Sequence, residues 1–331
     1  MSLVQTSSGK SFAAEQGETL LDAALRAKVT LAYSCRTGRC GTCKGQVRAG
    51  STVALHDELG LSETERASGW VLTCVRSAAS NVELEIDDLG DVQLFPAKTV
   101  PCRIQALERL SVDVVKVTLR LPPTANFSFH PGQYIDVIGH GGLRRSYSIA
   151  NAPTPEKHIE LHIRHVPGGA MSAYWFEQAQ VNDLLRLHGP LGTFFLRDID
   201  DMDLVFLATG TGIAPVKSML ESLAQPSKQP APRSVSVFWG GRVPDDVYWN
   251  TAEAGATHQF IPVLSRSGSE WSGARGHVQQ ALLAHPREWE RTAVYACGSE
   301  TMIHDARQQL MAAGLSERRF YSDAFVCSAA V

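Results

Sequence analysis

Three cysteines in Ser34–Lys44, SCRTGRCGTCK, stand at C-x4-C-x2-C spacing: Cys35, Cys40 and Cys43. A fourth, Cys74, follows after thirty intervening residues in LTCVR. Four thiolates can hold two irons bridged by two sulfides, and this spacing suits such a 2Fe–2S centre. Gly38 and Gly41 fit it, because a loop wrapped around a cluster needs left-handed backbone and N–H groups close to sulfur. A structural zinc site is the alternative. Zinc sites usually pair two short C-x2-C knuckles, whereas here the first gap is four residues and Cys74 stands alone. A one-electron centre needs a source of electrons and a recipient.

Two further stretches can supply the source. Leu143–Asn151, LRRSYSIAN, combines a guanidinium with an aromatic ring two residues on. Paired N–H donors suit phosphate, and a ring suits a flat ligand. Gly168-Gly169 then opens a helix expected over Met171–Gln178, and a helix start favours anions. Further on, Ala208–Pro215, ATGTGIAP, joins an apolar run to a helix through a short glycine loop. Glycines let a pyrophosphate approach backbone amides at a helix start. The second strand of that region ends in Gly240-Gly241-Arg242 without an acid at its tip, and Asp245 and Asp246 come slightly later. Arg242 or Ser265-Arg266 could meet a 2′-phosphate. The eleven histidines show no H-E-x-x-H spacing.

The elements that must position these groups fall into three blocks. Residues 1–93 read as α+β: a hairpin around Ser8-Gly9, a helix begun by Thr19 with Asp22 as capping pair, and the cysteine loop. A strand at Gly45–Arg48, a short polar helix at Ser62–Ala67 and an alternating strand at Val82–Ile86 complete it. The helix face is Leu20, Leu21, Ala24 and Leu25. Asp87-Asp88 and the following residues to Thr99 read as a linker. Residues 99–200 hold several short strands, Val114–Leu121, Gln133–Ile138, His158–Arg164 and Leu184–His188, with Pro/Gly turns, which suggests an antiparallel barrel. Residues 203–331 alternate buried-type strands with helices, as in a doubly wound parallel sheet. The segment 225–233, QPSKQPAPR, reads as a surface loop.

Composition narrows the function. At 331 residues and 44% hydrophobic content the chain supports several folded cores. A net charge of −3 with mixed signs argues against a nucleic-acid partner. No apolar run approaches the roughly eighteen residues that span a bilayer, and the polar start MSLVQTSSGK lacks a secretory apolar core. Seven cysteines is an odd count, and Cys102, Cys297 and Cys327 lie far apart, which favours a reducing, cytoplasmic setting.

The first ninety residues resemble a plant-type ferredoxin domain, on the four cysteines and the order strand, strand, helix, cluster loop. R-x-Y-S at Arg145–Ser148 resembles the flavin motif of the ferredoxin–NADP reductase superfamily. That resemblance implies Arg145 on a flavin phosphate, Tyr147 on the isoalloxazine ring, Ser148 near N5, and Gly169, Met171 and Ser172 at the pyrophosphate. His162-Ile163-Arg164 matches the same family, although a solvent-facing strand edge explains it nearly as well. Gly210, Thr211, Gly212 and Pro215 match the family's nicotinamide loop, with Thr209 replacing its first glycine. Cys297-Gly298 matches the loop beside the nicotinamide, and Phe325 the C-terminal aromatic segment near the flavin; a buried strand-end cysteine and a core phenylalanine are the alternatives.

The whole chain resembles three-domain reductases, ordered ferredoxin, flavin, nicotinamide. The resemblance implies an oxidoreductase in which electrons pass from NADH, with NADPH as alternative, through FAD rather than FMN and a 2Fe–2S cluster to an acceptor protein. Flavin is the adapter between a two-electron hydride and a one-electron centre. The strings LRLPPTA, GQYIDVI, RRSYSIANAP, GPLGTFF, APVKSM, VYACGS and SDAFV are most similar to CDP-6-deoxy-delta-3,4-glucoseen reductases. Those imply a pyridoxamine-phosphate sugar dehydratase of deoxyhexose synthesis as acceptor. Reductases of Rieske-type or di-iron aromatic-ring oxygenases carry nearly the same motifs and stand as the alternative.

Overall fold

The computed structural model describes residues 1–325 apart from 87, 91 and 227–230. Asp87 of the expected linker, the middle of the 225–233 loop and Cys327 lie outside the described residues. The chain divides into two compact units, Met1–Phe95 and Pro96–Val331.

The first unit runs β1 (Ser2–Thr6), β2 (Ser11–Ala14), α1 (Leu20–Arg26), β3 (Lys44–Ala49), β4 (Thr52–Ala54), α2 (Glu63–Ala67), β5 (Trp70–Leu72), β6 (Arg76–Ala78) and β7 (Val82–Glu85). Five strands form a sheet in the order β2-β1-β7-β3-β5, and β4 pairs with β6 separately. Alternation sets the register: Val82 and Leu84 are buried and Glu83 and Glu85 exposed. Thr19 starts α1 as anticipated, its Oγ1 accepting from Asp22 N at 3.0 Å and donating to Asp22 Oδ2 at 2.7 Å. Leu20, Leu21 and Ala24 enter the core and Leu25 packs on its margin. Helix α2 buries nothing; the reciprocal Ser62–Glu65 capping box holds its start.

The second unit holds two sheets. The first comprises β8 (Lys98–Ser111), β9 (Val114–Arg120), β10 (Tyr134–Ile138), β11 (Arg144–Ser148), β12 (His158–Arg164) and β13 (Leu184–Leu191), antiparallel in the order β11-β10-β13-β8-β9-β12. An Ile149–Leu161 bridge joins its two ends and closes the barrel. Inward residues Ile104, Val117, Leu119, Ile135, Val137 and Leu161 are wholly excluded from solvent. The expected helix over Met171–Gln178 forms differently: α3 (Ala170–Ala173) gives way to a widened turn over Tyr174–Gln178, with Ala179 N donating to Tyr174 O. The widening accompanies an aromatic run whose tips find separate partners, Tyr174 Oη donating to Asp183 and Trp175 Nε1 to Tyr147 Oη.

The second sheet is wholly parallel: β14 (Asp203–Thr209), β15 (Ser234–Gly241), β16 (Gln259–Leu264), β17 (Ala274–Arg275), β18 (Thr292–Ser299) and β19 (Phe320–Phe325), in the order β17-β16-β15-β14-β18-β19. Helices α4 (Ile213–Ala224), α5 (Val278–Leu283) and α6 (Glu300–Ala312) connect or flank the strands. The continuous run Leu204–Ala208 is buried throughout, as covering on both faces requires. Chain order reverses between β14 and β18, so the crevice beyond their C-terminal ends is the expected ligand position.

Candidate functional site

The cysteine loop is shaped by backbone. Gly38 and Gly41 adopt φ of 75° and 73°, and a Cβ on Gly38 would strike the Asp57 carbonyl. Thr37 N and Cys40 N each donate to Cys35 Sγ at 3.4 Å. The four sulfurs divide two and two: Cys35 hydrogen-bonds Cys40, and Cys43 hydrogen-bonds Cys74. The Cys40 contact holds Cys35 down to about 4 against the effect of burial, with Thr37 adding to it. Cys40 itself is pushed up by the same contact and by burial. Four cysteine sulfurs, with backbone N–H groups donating to Cys35, fit the donor set of a pair of bridged irons. Cys43 and Cys74 are buried, while Cys35 and Cys40 lie nearer the surface.

The flavin motif lies on β11. Arg144 Nε pairs with Asp136 Oδ2 at 2.9 Å, and Ser146 Oγ donates to Asp136 Oδ1 at 2.6 Å. These alternate residues therefore share one face. Arg145 and Tyr147 share the other. Among the described residues no carboxylate pairs with Arg145, whose Nη1 donates to its neighbour's carbonyl at 2.8 Å. Burial pushes the Tyr147 hydroxyl up to about 12, with Trp175 and the Arg145 charge opposing it. An unpaired guanidinium beside an aromatic ring fits a flavin with its phosphate. Ser148 is buried, with Oγ 3.5 Å from Asp323 Oδ2 on β19. Gly169 caps α3, and Met171 and Ser172 are buried behind it. Ser172 Oγ accepts from Val166 N at 2.7 Å, which leaves the hydroxyl proton for a ligand.

The side chains of His162 and Ile163 are committed elsewhere. Ile163 belongs to the barrel core. His162 Nε2 lies 2.9 Å from Glu160 Oε1, and Nδ1 lies 3.2 Å from Tyr248 Oη. A carboxylate only accepts, so Nε2 carries the proton and Nδ1 takes the tyrosine's. Burial lowers the His162 pKa against the pull of Glu160, which keeps the ring neutral. Burial disfavours the Glu160 charge, but His162 and Lys217 hold that carboxyl at about 2. Lys217 of α4 reaches Glu160 at 3.1 Å and also pairs with Glu221. Glu221 in turn accepts from Ala152 N at 2.8 Å. What His162 and Ile163 retain for a ligand is backbone.

Of the residues expected at the nicotinamide loop, Gly210 lines a cleft of about 320 Å³ beyond the ends of β14, β15, β16 and β18, whereas Thr211, Gly212, Pro215, Cys297 and Gly298 are not part of its lining. Thr209, Gly210, Gly241, Ser265, Val278 and Ser299 are among its lining. Gly212 lies against the Cys297 carbonyl, with no room for a Cβ, so the turn into α4 sits on the end of β18. Thr209, the departure from the family glycine, donates no strain there. Its Oγ1 accepts from Ser299 N at 3.0 Å, in the space left by Gly298 at φ 130°. Thr211 is buried in the same turn, and Pro215 lies in the first turn of α4. Cys297 is completely buried, and burial pushes its thiol well up, so it lines the strand end as a neutral group. Phe325, at the end of β19, pairs in register with Ser299. Barrel strand β11 thus meets the nicotinamide sheet at Ser148–Asp323, beside the Cys297-Gly298 strand end.

Arg164, the third residue of the His162-Ile163-Arg164 string, faces the parallel sheet. It extends from the barrel into the nicotinamide cleft, with Nη1 close enough to bar a Cβ on Gly210. Its Nε and Nη2 are buried without a hydrogen-bond acceptor. They stand at ion-pair range from Asp113 at 3.2 Å and Asp246 at 3.6 Å. Sequence reasoning missed Asp113 altogether, since nothing local to the β8–β9 turn marks it.

Family models match three successive stretches of the chain. A 2Fe-2S iron-sulfur cluster binding domain matches residues 4–78, an oxidoreductase FAD-binding domain 101–196, and an oxidoreductase NAD-binding domain 206–308. The chain is 41% identical to a CDP-6-deoxy-L-threo-D-glycero-4-hexulose-3-dehydrase reductase of Yersinia pestis, covering 97% of both chains. It is 32% identical to a terephthalate 1,2-dioxygenase reductase component of Comamonas, over 96% of this chain and 95% of that one. Among solved structures, an Amycolatopsis cytochrome P450 reductase superposes with a TM-score of 0.76 at 30% identity, covering 98% of this chain and 99% of that one.

Proposed function

The chain belongs to the three-domain reductases that join a 2Fe–2S domain to FAD- and NAD-binding oxidoreductase domains, and on that premise we propose that it takes electrons from NADH and delivers them to a pyridoxamine-phosphate sugar dehydratase. When bound, FAD takes up electrons in pairs and releases them singly, and the iron–sulfur centre carries them one at a time. The chain's own residues bind and orient. Cys35, Cys40, Cys43 and Cys74 hold the cluster, and the more exposed Cys35–Cys40 side is where an acceptor approaches. Arg145 balances flavin phosphate charge, and Tyr147 packs on the ring. Ser148, tied to Asp323, fixes the flavin edge that faces the nicotinamide. Gly210–Gly212 admit the dinucleotide to the backbone of the α4 start, where Arg164 places its Nη1 beside Gly210. Cys297 and Phe325 border the nicotinamide.

The observation that supports the reductase reading is the meeting of barrel strand β11 with strand β19 of the parallel sheet at Ser148–Asp323. For the acceptor it is 41% identity to a dehydrase reductase against 32% to a dioxygenase reductase component, each over nearly the whole chain. The buried thiols of Cys102 and Cys297 support work in a reducing, cytoplasmic compartment. Purified protein should contain about two irons and one FAD. Supplied with NADH, it should drive turnover by a pyridoxamine-phosphate sugar dehydratase acting on its nucleotide sugar. Turnover only with a ring-hydroxylating oxygenase component would reassign the acceptor, and stoichiometric zinc without iron in anaerobically prepared protein would remove the electron-transfer reading itself.

A further inference from the structure

Four charged side chains close a ring at the rim of the dinucleotide cleft. Arg164 Nε lies 3.2 Å from Asp113 Oδ2, and Asp113 Oδ2 lies 3.7 Å from Arg242 Nη2. Arg242 Nε and Nη2 each donate to Asp246 at 3.0 Å, and Asp246 Oδ1 returns to Arg164 Nη2 at 3.6 Å. Signs alternate around the ring and sum to zero. Two members come from the barrel and two from the nicotinamide sheet.

Arg242 follows the tip of β15, where an adenosine ribose meets a doubly wound sheet. A free guanidinium there would favour a 2′-phosphate. This one is not free: Asp246 also accepts from the Arg242 backbone N at 2.7 Å, and the Asp246 side chain is only 9% exposed. Three donors of one residue are therefore spent on one sheltered carboxylate. A 2′-phosphate arriving beside it meets two carboxylates as well as two guanidiniums and finds no net positive charge. Arg266, on the neighbouring strand end, is exposed and does not line the cleft.

We infer that the Arg164–Asp113–Arg242–Asp246 ring is a coenzyme-specificity device that cancels Arg242 and so selects the dinucleotide lacking a 2′-phosphate. The inference rests on the reductase reading above and supplies the physical basis of its NADH preference. Asp246 and Asp113 are the specificity-determining residues, acting through Arg242.

Steady-state reduction of ferricyanide by purified holoenzyme, with NADH and with NADPH, tests it. Wild-type protein should prefer NADH by at least about tenfold in kcat/KM, the scale of one charged hydrogen bond. Asp246→Asn should raise the NADPH:NADH ratio by about tenfold or more. Asp113→Asn, in a partly exposed turn with little folding risk, should raise it by a smaller factor. Adding Arg242→Gln to Asp246→Asn should cancel the gain, which a merely structural role for Asp246 does not predict. An unchanged ratio in both single variants overturns the inference, as does wild-type protein that uses NADPH as well as NADH. Those results leave the reductase reading intact; wild-type protein that oxidises neither dinucleotide ends that reading instead.

Discussion

Adjacent arginines on β11 face opposite ways. Arg144 is already paired with Asp136, whereas Arg145 lies on the Tyr147 side without a carboxylate partner among the described residues. A charged hydrogen bond to phosphate is worth roughly 1.5–3 kcal/mol, or about ten- to a hundred-fold in affinity. Arg145→Ala should therefore weaken FAD binding by that factor, read by titrating apo-protein. Arg144→Ala should change it little, and equal losses in the two variants would place the flavin on the other face. The motifs were readable because most of their members are local: R-x-Y-S spans four residues and Cys35 to Cys43 nine, whereas Cys74 follows only after thirty intervening residues. Arg164 was legible as a cation but not as to its destination. Its side chain reaches the next sheet's glycine turn, and a sequence string does not reveal which neighbouring sheet a strand end will meet. The four-charge ring was illegible for the same reason, since residues 113, 164, 242 and 246 become neighbours only after both sheets have formed.

At the scale of elements, pattern decided more than length: the five-residue α2 was readable from its polar stretch, whereas β8, a strand of fourteen residues, was not among the expected strands. Strands β14, β15, β16 and β18 announce themselves by continuous apolar runs, and α1 by its Thr19 cap. Strands β4, β5 and β6 have three residues each, too few for a period to show against loop composition. The bolt between α4 and the barrel also lay outside sequence reach: Glu160 sits on β12 and Lys217 on α4, with His162, Glu221 and Ala152 completing it. Breaking a buried pair by removing one partner costs about 3–5 kcal/mol. Lys217 keeps Glu221, so Glu160→Gln should cost about 3 kcal/mol at pH 7, measured by urea unfolding of the holoprotein. The native Glu160 carboxyl is held at about 2, below the unfolded value of about 4.3. Its stabilisation is thus complete above the unfolded value and is lost as pH falls toward 2. The gap between wild type and variant should narrow as the pH is lowered from 5 to 3. A gap that stays constant or widens would show that the Glu160 charge is not what holds the helix.

At the scale of the whole molecule, the two compact units carry separate cores. Val4, Leu20, Leu31 and Leu84 anchor the first, while the barrel and the parallel sheet have their own clusters. No helix among the described residues is long and apolar enough to cross a membrane. Separate cores mean that the cluster can be disabled without unfolding the flavin and nicotinamide sites. Cys40→Ser replaces one thiolate by a hydroxyl, a harder and more weakly binding donor, within a loop whose shape rests on Gly38 and Gly41 rather than on that side chain. The variant should retain FAD and keep NADH-dependent ferricyanide reduction within a few-fold of wild type, since ferricyanide accepts electrons from flavin directly. Its reduction of cytochrome c, a one-electron protein acceptor, should fall to background together with the visible spectrum of the cluster. Cys102→Ser, at a buried barrel position unconnected to the cluster, is the matched control and should lower neither activity selectively. Loss of both activities in Cys40→Ser with FAD still bound would mean that electrons do not leave the flavin independently of the cluster, and the division of labour between the two units would have to be abandoned.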